Sequence, residues 1–272
     1  MNVQLSRLSG IFLALSSPLA ATAQGLYWEA FASGGLLAER GVSTKNYGMP
    51  KMYKNEGEGT IMIFRLDRDK VFRLNVKEKT YTEMTFAELE ARMKEAGAKM
   101  EAALEGMERR LKNLPKDQRE VLEKLMEGKV PPRLGKGKVE VTPTAETRKI
   151  LGYASTKFVA EQEGKPVLKA WVTKDIKEFE AMRKDWQEIQ RRMLSMTPSA
   201  GRVFAEAVSR LDGFPLEMEV LGMKTQVTKV EIRAISPAEF EVPAGYTKRT
   251  EPEAGPKRVG EKAGPEDPGK AR

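Results

Sequence analysis

Carboxylate pairs are the side chains of this sequence best suited to acid–base chemistry, because it contains no Cys and no His. That composition excludes thiol nucleophiles, disulfides, serine–histidine–aspartate triads and the usual zinc sites. The pairs are Asp67 with Asp69, in a charged turn, and Glu217 with Glu219, on the polar side of a strand pattern. Such positions favour solvated carboxylates. We therefore predict no catalytic residue and no enzyme, although sequence alone leaves a glycosidase-type carboxylate pair open, since it does not give their separation.

Methionine thioethers are the second group that could do chemistry, because they bind Cu(I). Met93, Met100 and Met107 recur every seven residues. On a helix, neighbours at this spacing lie about 10 Å apart, so three sulfurs cannot reach one ion. Packing is the better interpretation of these adaptable side chains. We expect no metal and no cofactor.

The charge pattern argues against nucleic acid as a partner. The chain has 47 basic and 39 acidic residues, for a net charge of +8. The basic residues are interleaved with acidic ones, whereas nucleic-acid binders usually carry a basic stripe or patch. Only weak, sequence-independent attraction to DNA is expected.

Both ends of the chain differ in composition from the middle. Residues 1–23 have the order of a signal peptide: Arg7, an apolar run too short to anchor in a bilayer, and Ala21-Thr22-Ala23. Cleavage is predicted between Ala23 and Gln24, and no Cys follows that could carry a lipid anchor. The mature protein is expected to be soluble and periplasmic, without a membrane span. Residues 248–272 are rich in Pro, Gly and charge, which predicts a disordered tail.

The remaining residues, 24–247, are predicted to be one domain organised around residues 60–83. This stretch has three short apolar runs separated by two charged turns, which is typical of an antiparallel meander. Strand alternation places Met62 and Phe64 on one face and Ile61 and Ile63 on the other. Further strands are predicted on both sides, the last at residues 240–246, for about ten in all.

Two helical inserts interrupt the strands, at residues 85–128 and 175–212. The first begins with a capping-box pattern, Thr85 with Glu88, and carries an apolar seam. The second has the same pattern at Asp175 and Glu178. Each seam needs a surface to cover. The predicted fold class is therefore α+β, an open antiparallel sheet with helices on one face.

Six short motifs follow one another along the chain: Phe64–Asp67, Tyr81–Met84, Gly152-Tyr153, Trp171–Asp175, Phe214–Leu216 and Pro243–Tyr246. Their order resembles a family of exported bacterial proteins known as domain of unknown function 4412. The resemblance extends over roughly residues 25–249, although relatives often have a Cys after Gly-Tyr, where this chain has Ala154-Ser155. The family in turn is similar to the periplasmic lipoprotein-carrier fold. This resemblance implies a half-barrel whose helix-covered concave face takes up acyl chains.

Two functions follow as alternatives. In the first, a cleft between sheet and helices holds a lipid-like or other hydrophobic molecule, such as an acyl chain. In the second, the core is filled and the protein is a non-catalytic structural or interaction module, whose partner the sequence does not identify. For the first, the expected lining residues are Phe64, Phe72, Met93, Met100, Trp171 and Trp186.

Overall fold

A computed structural model of the protein describes residues 23–34, 41–115, 117–119, 137–194, 199–220 and 222–250. Residues 1–22 of the predicted signal peptide, 120–128 of the first insert and 251–272 of the predicted tail lie outside the described residues. Within these ranges, no helix is long and apolar enough to cross a membrane.

A single open sheet of twelve strands organises the described chain. All neighbouring strands are antiparallel except the short last strand, which pairs parallel with the sixth. Strand order is β12-β6-β5-β4-β3-β2-β1-β11-β10-β9-β8-β7. The strands are β1 (Ala23–Gly34), β2 (Val42–Met49), β3 (Met52–Gly57), β4 (Thr60–Arg65), β5 (Lys70–Asn75), β6 (Thr80–Met84), β7 (Val139–Ile150), β8 (Tyr153–Gln162), β9 (Lys165–Thr173), β10 (Phe214–Val220), β11 (Met223–Ile235) and β12 (Thr247–Lys248).

Three helices pack on one face of this sheet. They are α1 (Phe86–Lys112), between β6 and β7, and α2 (Lys177–Leu194) and α3 (Ser199–Ser209), between β9 and β10. We call the helix-covered side the inner face. Its buried residues form three adjoining clusters, linked through Tyr53 and Trp186. The other side is the outer face, where a short 3-10 helix (Pro237–Phe240) covers a fourth cluster.

The predicted meander at residues 60–83 is confirmed as β4, β5 and β6. Phe64 and Met62 lie on the inner face, whereas Ile63 and Ile61 lie on the outer face, as strand alternation requires. Both faces of this stretch are covered, because α1 lies over one and the 3-10 helix over the other. The α+β class and the open antiparallel sheet are thus observed, and the curvature of a half-barrel stays a prediction.

The first helical insert covers less of the sheet than its seam predicts. Thr85 and Glu88 form the expected capping box, but Phe86 and Leu89 are the buried residues of α1 and Met100 is 56% exposed. The reason is position, because α1 leaves the sheet from β6, beside its edge strand. The inner face offers area only to the first turns of a helix of 27 residues.

Two local predictions are wrong. Residues 240–246 are not a strand: Ser236 caps the 3-10 helix by accepting a hydrogen bond from the Ala238 amide, and Pro243 interrupts the segment that follows. Asp175 forms no capping box with Glu178, because its carboxylate accepts a hydrogen bond from the Ala154 amide, 3.0 Å away. The Asp175 carboxylate is thus taken by a residue 21 positions earlier, which the local pattern does not encode.

Candidate ligand-binding cavity

A cavity of about 160 Å³ lies between the inner face and the α2–α3 layer. Strands β1, β2, β3, β10 and β11 form its floor and the two helices form its roof. The walls are mostly aromatic and aliphatic. The described lining residues are Trp28, Ala30, Thr44, Asn46, Tyr53, Trp186, Gln190, Phe204, Val208, Phe214, Pro215, Leu216, Met218, Thr225 and Val227.

Stacked aromatic rings hold the floor of the cavity. Trp28 stacks on Tyr53 with ring centroids 5.8 Å apart, and Phe214 meets Trp28 edge-on at 5.4 Å. Behind Phe214, Phe179 of α2 makes a second edge contact at 5.0 Å. Edge-to-face and offset pairs at these distances stabilise one another beyond their buried area. The floor is therefore rigid, and the roof helix α2 is attached to it through the same aromatic cluster.

One buried amide provides the polar part of the cavity. Asn46 is 3% exposed. Its carbonyl oxygen accepts hydrogen bonds from the Tyr53 hydroxyl at 2.7 Å and the Asn55 amide at 2.8 Å. Its amide nitrogen donates a bond of 3.2 Å to Thr44 and a long bond of 3.4 Å to the Trp28 carbonyl oxygen. Burial raises the pKa of the Tyr53 hydroxyl, so this group stays neutral and remains a donor. The long bond leaves the Asn46 amide available to a better acceptor.

Polar contacts tie the roof helix to its surroundings. The Asp185 carboxylate accepts a hydrogen bond from the Lys51 amide at 2.8 Å, and the Gln187 side chain donates to the Ser209 carbonyl at 2.9 Å. The Arg183 guanidinium pairs with Asp212 at 2.6 Å. These bonds join α2 to the β2–β3 turn and to the end of α3, so the two helices form one layer.

The last turn of α2 is held by Glu188 in a way that predicts acid sensitivity. Hydrogen bonds from Arg191, and then from Arg192, lower the pKa of the Glu188 carboxyl to about 2. A carboxyl with a lowered folded-state pKa stabilises the fold above its unfolded pKa of about 4.3, and this contribution is lost as the pH falls toward 2. We expect Glu188→Gln to make the free energy of unfolding less dependent on pH across that window.

Urea denaturation of the wild-type protein and Glu188→Gln at pH 7, 4 and 3 measures this effect. Glu178→Gln, in the first turn of the same helix, is the matched control. An equal pH dependence in wild type and Glu188→Gln would contradict the prediction.

The structure brings together only part of the predicted site. Trp186 lines the cavity, and Phe64 lies on the inner face in the neighbouring cluster, where Met93 packs half-buried. Phe72 lies on the outer face, because it pairs with Ile63. These assignments divide the expected lining between two sides of the sheet.

Trp171 and Met100 are also outside the cavity, so their predicted role as lining residues is not supported by the geometry. Trp171 alternates with the inner-face residues of β9, and the Arg148 guanidinium lies 4.0 Å from its ring centroid on the outer face. Met100 is largely exposed on α1. Successive side chains of a strand point to opposite faces of the sheet. An aromatic residue in an apolar strand can therefore lie on the face away from the helices.

Sequence reasoning missed the floor residues, among them Trp28, Phe214 and Asn46. The local pattern around Trp28 does not indicate that β1 lies in the interior of the sheet. The signal for Asn46 was available in part. Asn46 and Asn55 stand in consecutive strands and pair across β2 and β3, and polar residues on a buried strand face indicate a site that binds something polar or a structural network.

The carboxylate pairs are held in ion pairs or exposed. Asp67 binds the buried Arg65 guanidinium, and Glu217 binds Arg148 at 2.6 Å. A second, more polar depression of about 450 Å³ lies beside Glu29, Lys45 and Glu56, which follow one another across three strands. Glu56 forms an ion pair with Lys54 at 2.8 Å, and Glu29 accepts a hydrogen bond from the Tyr27 hydroxyl at 2.6 Å. Both carboxylates therefore have structural partners.

A comparison with solved structures matches nineteen chains. Among them are two structures of PNGF-II, one in space group C2 and one in P21. Each has a TM-score of 0.36 and 12% sequence identity, and the alignment covers 84% of this chain and 31% of theirs. At that TM-score the likeness supports no statement about fold or activity. A search of curated proteins returned no match.

A family comparison matches residues 135–246. This range includes strands β7 to β11, helices α2 and α3 and the 3-10 helix on the outer face. Four of the motifs that carry the sequence resemblance lie inside this range, whereas Phe64–Asp67 and Tyr81–Met84 lie before it. The match is therefore shorter than residues 25–249. Residues 135–246 of this chain match the family model described as Domain of unknown function (DUF4412).

Proposed function

We propose that this is a non-catalytic, exported protein of the periplasm that binds a hydrophobic ligand between its sheet and its α2–α3 layer. The observation that carries the proposal is the apolar cavity of about 160 Å³ at that position. Packed cores leave few voids larger than a water molecule. A void of this size, with aromatic walls and a few polar groups, is the kind of space that small ligands occupy.

The cavity volume bounds the ligand. An engineered apolar cavity of about 150 Å³ holds a benzene molecule, whereas pockets for drug-sized ligands measure about 300–1,000 Å³. The ligand is therefore of about benzene size, or it is the end of a longer acyl chain. A complete acyl chain requires the α2–α3 layer to move away from the sheet. Each methylene that enters stabilises the complex by about 0.8 kcal/mol.

A structural or interaction module is the second candidate. It is favoured by the dense packing of α2 elsewhere, where Phe179, Met182 and Ile189 are all buried against the sheet or α1. In this case the cavity is a packing defect and stays empty. The two candidates differ in whether an apolar probe binds saturably.

Intrinsic fluorescence provides the test, because the chain has three Trp residues and two of them line the cavity. In Trp171→Phe, both remaining Trp residues report on that space. We expect titration with octan-1-ol to change their fluorescence saturably. Native mass spectrometry of protein purified from an exporting host adds a search for bound lipid.

Cavity-filling variants make the test specific. Ala30→Leu places three extra carbons in the cavity. Thr225→Leu adds two carbons and removes the hydroxyl oxygen, at a half-buried position that tolerates the change more easily. Both should weaken octanol binding at least about tenfold, whereas Ala234→Leu, an exposed position on β11, should leave it unchanged. If folded Trp171→Phe shows no saturable response and no lipid co-purifies, the structural candidate takes the place of ligand binding.

A further inference from the structure

We infer that the cavity selects neutral ligands, with an amide, ester or hydroxyl end, and rejects free carboxylates. This inference rests on the proposed function and names its ligand class. The hydroxyl and amide side chains among the described lining residues are all neutral: Thr44, Asn46, Tyr53, Gln190 and Thr225. They offer amide and hydroxyl groups, which match the donors and acceptors of an uncharged polar end.

The Asn46 amide is the group best placed to recognise that end. It is buried, and its donor contact to the Trp28 carbonyl oxygen, at 3.4 Å, is longer than the usual range of about 2.7–3.2 Å. A ligand carbonyl or hydroxyl oxygen that approaches this nitrogen replaces a weak bond with a stronger one. The Asn46 carbonyl oxygen already accepts two bonds, so the ligand binds through its own acceptor.

The arginines of the roof helix are engaged elsewhere. Arg183 pairs with Asp212, and Arg191 and Arg192 both bind Glu188. Moving one of them to a ligand carboxylate would break an existing ion pair. A carboxylate in the cavity would thus lose its water shell without gaining a cation, which is the unfavourable case for a buried charge.

The size of the expected discrimination follows from that loss. A ligand whose charge is buried without a partner binds more weakly, even when that charge keeps part of its water shell. We therefore expect octanoate to bind at least about tenfold more weakly than octanamide at pH 7. The two probes have the same chain length and differ in the charge of the polar end. Trp171→Phe fluorescence reports both titrations.

A charge introduced into the wall should reverse the preference. Thr225→Lys places an ammonium group at the cavity, and we expect it to bind octanoate at least about tenfold more tightly than the parent protein does. Gln226→Lys is the matched control, because adjacent strand residues point to opposite faces and Gln226 does not line the cavity. It should leave both affinities unchanged.

The possible results distinguish selection of neutral ligands from hydrophobic binding itself. Preference for octanamide, with gain of octanoate binding in Thr225→Lys only, supports neutral-ligand selection. Equal binding of octanamide and octanoate by the parent protein overturns the selection and leaves hydrophobic binding in place. Failure of octanol, octanamide and octanoate alike, in protein shown to be folded by circular dichroism, overturns both.

Discussion

Replacing Phe214 by alanine is expected to lower the free energy of unfolding by about 3–5 kcal/mol, the usual cost of removing a buried aromatic side chain. Phe214 is 2% exposed and touches Trp28 on one side and Phe179 of the roof helix on the other. Its removal enlarges a cavity that already exists and separates α2 from the sheet. Urea denaturation followed by far-ultraviolet circular dichroism measures the effect.

Met100→Ala is the control for this experiment. The sequence placed Met100 in a covered seam, where truncation would cost about 2–5 kcal/mol. Its exposure in the structure instead predicts a change within about 0.5 kcal/mol. A Met100→Ala effect as large as that of Phe214→Ala would mean that α1 is buried in solution.

Arg65→Met is expected to lower the free energy of unfolding by about 3 kcal/mol. We also expect it to weaken the packing of residues 237–246 against the outer face. The Arg65 guanidinium is buried and binds Asp67 through two hydrogen bonds of 2.9 and 2.7 Å. It also binds the Glu241 carboxylate and the Phe240 carbonyl oxygen. A hydrogen bond to a charged group contributes about 1.5–3 kcal/mol, and the partial exposure of both carboxylates reduces the sum.

Hydrogen exchange shows which residues are destabilised in Arg65→Met and by how much. Amides of residues 237–246 should lose protection in Arg65→Met before those of the sheet do. Arg68→Ala is the control, because Arg68 also pairs with Glu241 but its side chain is 53% exposed. Unchanged protection of residues 237–246 in Arg65→Met would show that Phe240 and the apolar contacts hold this segment without the ion pair.

Local patterns predicted the strands and helices well where a single period governs them. Residues 60–83 alternate with charged turns, and the capping box at Thr85 marks the start of α1 correctly. The face assignment of Phe64 also followed, because its neighbours on both faces are apolar and the register is fixed by two short turns.

The candidate site could not be predicted to the same degree, because it depends on strand order. Trp28 and Phe214 lie about 190 positions apart and meet only because β1 and β10 both flank β11. Trp171 and Phe72 are predicted to line the cleft because both are aromatic residues in apolar strand patterns. The hydrophobicity of a side chain indicates that it is buried. It does not indicate whether the helices on the inner face or the segment on the outer face cover it.

The central position of β1 has a consequence for how the sheet assembles. Strands β1–β6 form one antiparallel half-sheet and strands β7–β11 form another. The two half-sheets meet where β1 pairs with β11, for example Ala30 with Val227, which are roughly 200 residues apart. Among the described strand pairs, this one closes the longest loop and therefore costs the most chain entropy. We expect the two half-sheets to form first and β1 to dock on β11 last, which places this protein among the slower folders. That closure cost grows only with the logarithm of loop length. Doubling the length of the chain between the half-sheets adds about 0.6 kcal/mol, so the first helical insert can lengthen or shorten without preventing the two halves from joining.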